Sequence, residues 1–70
     1  MAGKNPIRMG KVFVSVGTEK AILVEELEIE DGEPTWVPNS CVHDDSEVEH
    51  EGDRGELVVV EWFAEKRGWL

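Results

Sequence analysis

Glu56-Leu57-Val58-Val59-Val60-Glu61-Trp62-Phe63-Ala64-Glu65-Lys66-Arg67-Gly68 is the stretch that decides how this chain folds. Its first half is an apolar, mostly β-branched run of strand length. Its second half carries the marks of a short helix. An acid opens the first turn, Lys66 and Arg67 sit in the last, and Gly68 lies just beyond. Glu61 and Glu65 are like charges four residues apart, which weakens an isolated helix. The helix must therefore be held by packing of Trp62, Phe63 and either Trp69 or Leu70.

Working back toward the N-terminus, Asp44 to Gly55 offers little but Val48 for a core. It reads as an exposed loop, or as an edge strand around Val48. Asn39-Ser40-Cys41 reads as a single helical turn capped by Asn39 or Ser40. Pro34-Thr35-Trp36-Val37-Pro38 reads as a short strand closed by a proline that cannot donate to a ladder. Asp31-Gly32 is a hairpin signal. Before it, residues 20–29 begin as an apolar run and end in alternation. That places Leu27 and Ile29 inward, with Glu26, Glu28 and Glu30 outward on one wet face. Lys11-Val12-Phe13-Val14-Ser15-Val16 reads as the first strand, with Gly17-Thr18 as its turn.

The expected fold is mostly β. We anticipate a strongly bent, SH3-like antiparallel sheet or barrel of four to five strands, with the C-terminal helix plugging one end or covering an edge. An α+β arrangement, with the helix on one face of a flat sheet, is the alternative. Residues 1–9 are expected to be a flexible tail and residues 10–70 a single small domain. With 70 residues the core is small, and domains of this size often need a staple or a partner. Cys41 is the sole cysteine, so an internal disulfide is excluded. A lone thiol fits a reducing cytoplasm. No run is long and apolar enough for a membrane helix, and the opening residues lack a signal-peptide pattern.

Charge is the strongest compositional feature. The net value is −9, from 7 Lys and Arg against 16 Asp and Glu. Residues 1–20 are basic, with Lys4, Arg8, Lys11 and Lys20, while residues 21–56 hold thirteen carboxylates against Arg54 alone. Such a region repels phosphate backbones and attracts basic partners. Solubility alone is the plainer account. The candidate protein-binding residues are Glu26, Glu28, Glu30, Asp31, Glu33, Asp44, Asp45, Glu47, Glu49 and Glu51. Along a strand, Glu26, Glu28 and Glu30 would repeat at ~6.6–6.8 Å, close to the spacing of successive phosphates.

Catalytic and metal chemistry find little support. Cys41, His43, Asp44, Asp45 and His50 are ligand types, but their spacing matches no standard zinc site. The acidic run lacks the EF-hand pattern of ligands, glycine and closing glutamate. Ser40, Cys41 and His43 lack flanking oxyanion-hole glycines, and Cys41 reads as a small, half-buried hydrophobe. The reading is thus of a non-enzyme with no cofactor and no metal. For nucleic acid, Phe13, Trp36 and Trp62 could stack on bases beside the N-terminal cations. Trp36 and Trp62 read more naturally as core, with Trp69 as the exposed one.

Three segments carry a resemblance. Lys20-Ala21-Ile22-Leu23-Val24, Trp36-Val37-Pro38-Asn39-Ser40 and Glu61-Trp62-Phe63-Ala64-Glu65-Lys66-Arg67-Gly68 together resemble a loose group of small uncharacterised bacteriophage and prophage proteins. In that group a basic residue is usual where Asn39 stands and a proline where Val60 stands. The resemblance implies a phage setting in the host cytoplasm. There, small acidic proteins block defence or occupy nucleic-acid enzymes. The expectation is therefore a protein-binding inhibitor of a host nucleic-acid-handling or defence complex, of the anti-CRISPR or DNA-mimic type. Its partner would be a basic protein surface. A phage accessory protein for single-stranded nucleic acid or recombination is the alternative, and a homodimer is the third reading.

Overall fold

The computed structural model describes residues 5–70. Strand β1 (Pro6–Gly17) is 12 residues long and pairs along both edges. Val12 and Val14 point into the core with no exposed surface, and Phe13 and Ser15, which alternate with them, stay half-buried. Two irregularities bend this strand. Its register with β4 (Arg54–Val60) shifts by one residue between Arg8 and Lys11, where Gly10 adopts φ 90°. Its register with β2 (Ala21–Glu25) shifts again between Val14 and Val16. Each extra residue kinks the strand and tightens its twist. Only glycine takes the left-handed backbone at Gly10 without strain.

The sheet has four antiparallel strands in the order β3-β2-β1-β4, with β3 spanning Thr35–Pro38. It is rolled rather than flat. The chain leaves β3, makes one 3-10 turn over Asn39–Cys41, and Val42 then bridges to Val59 of β4. In a flat sheet that crossing would cover four inter-strand spacings, about 19 Å. Four residues reach at most about 14 Å. The two edges must therefore curl toward each other. The fold is mostly β, as its alternating and β-branched runs indicate.

Helix α1 (Glu61–Arg67) follows β4 without a loop. Gly68 takes φ 78°, its N–H donates to Glu65 O at 3.1 Å, and Trp69 N–H donates to Ala64 O at 2.8 Å. This paired cap satisfies the last carbonyls and turns the chain back on itself. Trp69 then packs edge-on against Phe63, with ring centroids 5.4 Å apart. The core gathers Val12, Val14, Ile22, Val24, Val37 and Leu57 from the sheet with Phe63 and Ala64 from α1.

Four expectations need correction. The flexible tail expected over residues 1–9 does not extend over residues 6–9. Residues 6–9 belong to β1, because Pro6, Ile7 and Arg8 pair with Val60, Val59 and Val58. Residues 1–4 of that tail lie outside the described residues. The strand expected through Ile29 stops at Glu25. Glu26 turns left-handed at φ 70°, Leu27 drops into the core, and Glu28–Glu30 form a 3-10 turn. Burial of Leu27 outweighs the alternation, so Ile29, expected inward, is 47% exposed. Asp31 and Gly32, both left-handed, end that 3-10 turn inside a wide loop instead of forming a two-residue hairpin. The helical turn expected after Pro38 is present, but Asn39 does not cap it. Its side-chain amide donates instead to Thr18 O and Glu19 O at 3.1 and 3.0 Å, clamping the β1–β2 turn.

Candidate functional site

The acidic segment 42–53 is stitched to the outer edge of β4. His43 N–H donates to Val58 O at 2.8 Å, and Val58 N–H donates to the buried Ser46 hydroxyl at 3.2 Å. The Ser46 hydroxyl itself donates to Val48 O at 3.0 Å. Glu47 N–H reaches Glu56 O at 3.0 Å, and Glu47 Oε1 accepts from Glu56 N–H at 2.8 Å. An edge strand that would otherwise expose its ladder is thereby sealed. Val48, the segment's apolar anchor, is fully buried.

Several carboxylates shape this segment. Asp53 Oδ2 accepts from both Glu49 N–H and His50 N–H at 2.9 Å. Those two bonds favour the ionised form and hold the Asp53 carboxyl below its usual value. Glu51 Oε1 accepts from Gly17 N–H at 3.1 Å. Glu47 and Glu51 were read as binding residues, and the structure gives both a backbone partner. Asp53, absent from that reading, organises the turn. Its spacing to Glu49 and His50 is the only sequence signal for it. Asp44 and Glu49 remain exposed without a cationic partner among the described residues, and Asp45 is exposed beside His43. Asp44, Glu49 and Glu51 border, with His43 and His50, a depression of about 430 Å³.

The other candidates stand on the β2–β3 loop. Glu26 pairs with Arg54 at 2.9 Å, with both side chains more than half exposed, so the pair adds little stability. Arg54 also covers the Phe13 ring at 4.9 Å. Glu30 Oε2 accepts from Trp69 Nε1 at 2.6 Å and lies 3.9 Å from Arg67. Glu28, Asp31 and Glu33 are exposed, with no ion pair among the described residues. The ten candidates thus divide between two excursions of the chain. The regular row of Glu26, Glu28 and Glu30 does not form, because the strand that would space them ends at Glu25.

All three tryptophans reverse their expected places. Trp36 is 49% exposed and Trp62 44%, whereas Trp69 is 7% exposed. Strand parity explains the first, since Thr35 and Val37 point inward and force Trp36 outward. Helix α1 buries Phe63 and Ala64, which leaves Trp62 on the surface. The cap at Gly68 folds Trp69 under. Trp36 and Trp62 line one groove of about 370 Å³, with Ala21 and Pro38 beside them and Lys66 and Arg67 at its rim.

Of the N-terminal cations read as a possible partner for nucleic acid, Lys4 lies outside the described residues. Arg8 is engaged by Glu56 at 2.9 Å. Cys41 is 2% exposed and burial pushes its thiol up, so it is more deeply buried than expected. Among the described residues, no three of the His, Cys, Asp and Glu side chains converge as metal ligands. No helix among them is long and apolar enough to cross a membrane. No family model, curated protein or solved structure matches this chain.

Proposed function

We propose that this chain is a non-enzymatic binding domain that presents the carboxylates of Asp44, Asp45 and Glu49 to a basic surface of another protein. The single observation that carries this reading is the division of labour within the segment. Ser46, Glu47, Glu51 and Asp53 hold its backbone, while Asp44, Asp45 and Glu49 project into solvent. Charges on a pre-ordered backbone lose little entropy on binding. In a chain of net charge −9 they also steer encounter with a cationic partner, at a rate that falls with salt. A basic groove built for nucleic acid meets this description. The function we infer is occupation of such a groove in a host nucleic-acid-handling or defence complex, in the cytoplasm of a phage-infected cell.

A single-stranded nucleic-acid accessory role has less to stand on. Arg8 is occupied by Glu56, and Phe13 lies beneath Arg54. The deciding experiment immobilises the wild-type chain and a D44K/D45K/E49K variant and exposes both to host lysate, with and without nuclease treatment. The expected result is a basic protein held by the wild type, released by salt and absent from the variant. Equal recovery on both would sink the reading. Recovery that disappears with nuclease would favour the nucleic-acid role.

A further inference from the structure

The two edges of the sheet are treated differently. Residues 42–48 seal the outer edge of β4, whereas the outer edge of β3 carries no backbone partner among the described residues. The register shows which groups face outward there. Asn39 N–H donates to Lys20 O at 2.8 Å, continuing the pairing of Val37 with Ile22 and Thr35 with Val24. Counting in twos, Thr35 and Val37 bond toward β2, and the N–H and C=O of Trp36 face away. Pro34 and Pro38, two residues to either side, have no N–H to offer. The free edge therefore holds one donor, at Trp36, in one possible register.

The side chains around that donor form the groove between Trp36 and Trp62, lined also by Ala21, Pro38 and the buried Cys41 and Phe63. Its rim is cationic. Lys66 has no carboxylate partner among the described residues, and Arg67 has only a long contact of 3.9 Å to Glu30. An apolar groove with a local positive rim, on a chain of net −9, discriminates among anions. A polyphosphate chain meets repulsion from the surrounding carboxylates. A ligand with a single carboxylate meets chiefly the rim.

We propose that this groove receives an extended peptide of a partner protein. Its main chain pairs with β3 at Trp36, an apolar side chain lodges between the two indoles, and a carboxylate sits at Lys66 and Arg67. Strand addition at an exposed edge draws affinity from main-chain hydrogen bonds and specificity from the pocket beside them. The flanking prolines keep other strands from extending the pairing, which limits the edge as an aggregation site. The inference is independent of the acidic segment, and together the two faces would let one small domain hold two partners.

The test selects from a random twelve-residue peptide library against the wild-type chain, with counter-selection on Trp36→Ala. Enriched peptides are expected to be apolar and extended, with Asp or Glu outnumbering Lys and Arg. Trp36→Ala should weaken them about tenfold or more, as loss of a central aromatic anchor does. Lys66→Glu should weaken them about two- to fivefold, as loss of one exposed ion pair does. Amide NMR shifts on binding should fall on residues 34–38 and 62–67. Lys66→Glu serves alone if Trp36→Ala fails to fold, since Lys66 is exposed. Failure to enrich any peptide that depends on these residues overturns the proposal. So does a shift of the same amides by an eight-nucleotide oligothymidylate, which would assign the groove to single strands. Enrichment of nothing but basic peptides, lost only on D44K/D45K/E49K, would support the acidic segment's role and, with no peptide dependent on Trp36 or Lys66, overturn the one proposed for the groove.

Discussion

Trp69 Nε1 donates to Glu30 Oε2 at 2.6 Å, across 39 residues of sequence. The bond ties the C-terminal cap to the 3-10 turn that interrupts the β2–β3 connection. A donor facing a carboxylate makes one of the stronger hydrogen bonds, here moderated because the Glu30 side chain is 31% exposed. Trp69→Phe should keep an aromatic ring against Phe63 while losing the bond and part of the indole's packing, at about 1–3 kcal/mol. Trp69→Ala also removes the buried ring, and large aromatic truncations cost about 3–5 kcal/mol. Urea unfolding would separate the two. Equal losses would mean that the ring contributes nothing beyond its N–H.

The acidic residues should sort into two classes by stability. D44N, D45N and E49N should each lie within about 0.5 kcal/mol of the wild type, as exposed substitutions away from structural features do. Glu47→Ala strips the Glu56 N–H of its acceptor and should cost about 1 kcal/mol. The readout is the urea midpoint of each variant. A costly D44N or D45N would show that those side chains hold the segment rather than project from it.

Gly17 and Gly55 sit against the acidic segment for different reasons. A Cβ at Gly17 would lie 2.8 Å from the backbone nitrogen of Glu51, so the turn itself must move. Gly17→Ala should cost about 1–3 kcal/mol, the usual range for overpacking, and should shift the amide resonances of residues 50–53. A Cβ at Gly55 meets first the carboxylate of Glu47, at 2.8 Å, a side chain that can swing aside by releasing its bond from Glu56 N–H. Gly55→Ala should therefore be milder, and its shifts should centre on Glu47 and Glu56. The reverse order in thermal melts would show the turn to be looser than its contacts imply.

Asp53 makes a pH prediction. Its folded carboxyl is held low by the Glu49 and His50 N–H groups. A carboxyl lowered on folding stabilises the protein above its unfolded value of ~3.9 and loses that effect as pH falls through the folded value. Asp53→Asn should thus be less stable than the wild type from neutral pH down to the ordinary carboxylate range. The gap should close only in more acidic solution. Urea midpoints at stepped pH would show it. A gap that widened on acidification would reverse the assignment.

Strand-length apolar runs, the helix after Val60 and the glycine that ends it were legible because each is a local pattern whose burial partner lies close in sequence. Residues 57–67 form the strand and helix their composition dictates, and prolines stand at the two ends of β3. The charge of residues 21–56 was equally plain, since charge is a count. Tertiary structure decided what counts could not. Burial of Leu27 ended β2 at Glu25 and dispersed the row of carboxylates expected beyond it. The roll of the sheet brought residues 42–48 to β4, and so turned Glu47 and Glu51 from displayed charges into backbone acceptors. Tryptophan is large enough to serve core or surface. Strand parity and the cap at Gly68, not the residue type, sent Trp69 inward and left Trp36 and Trp62 facing one groove.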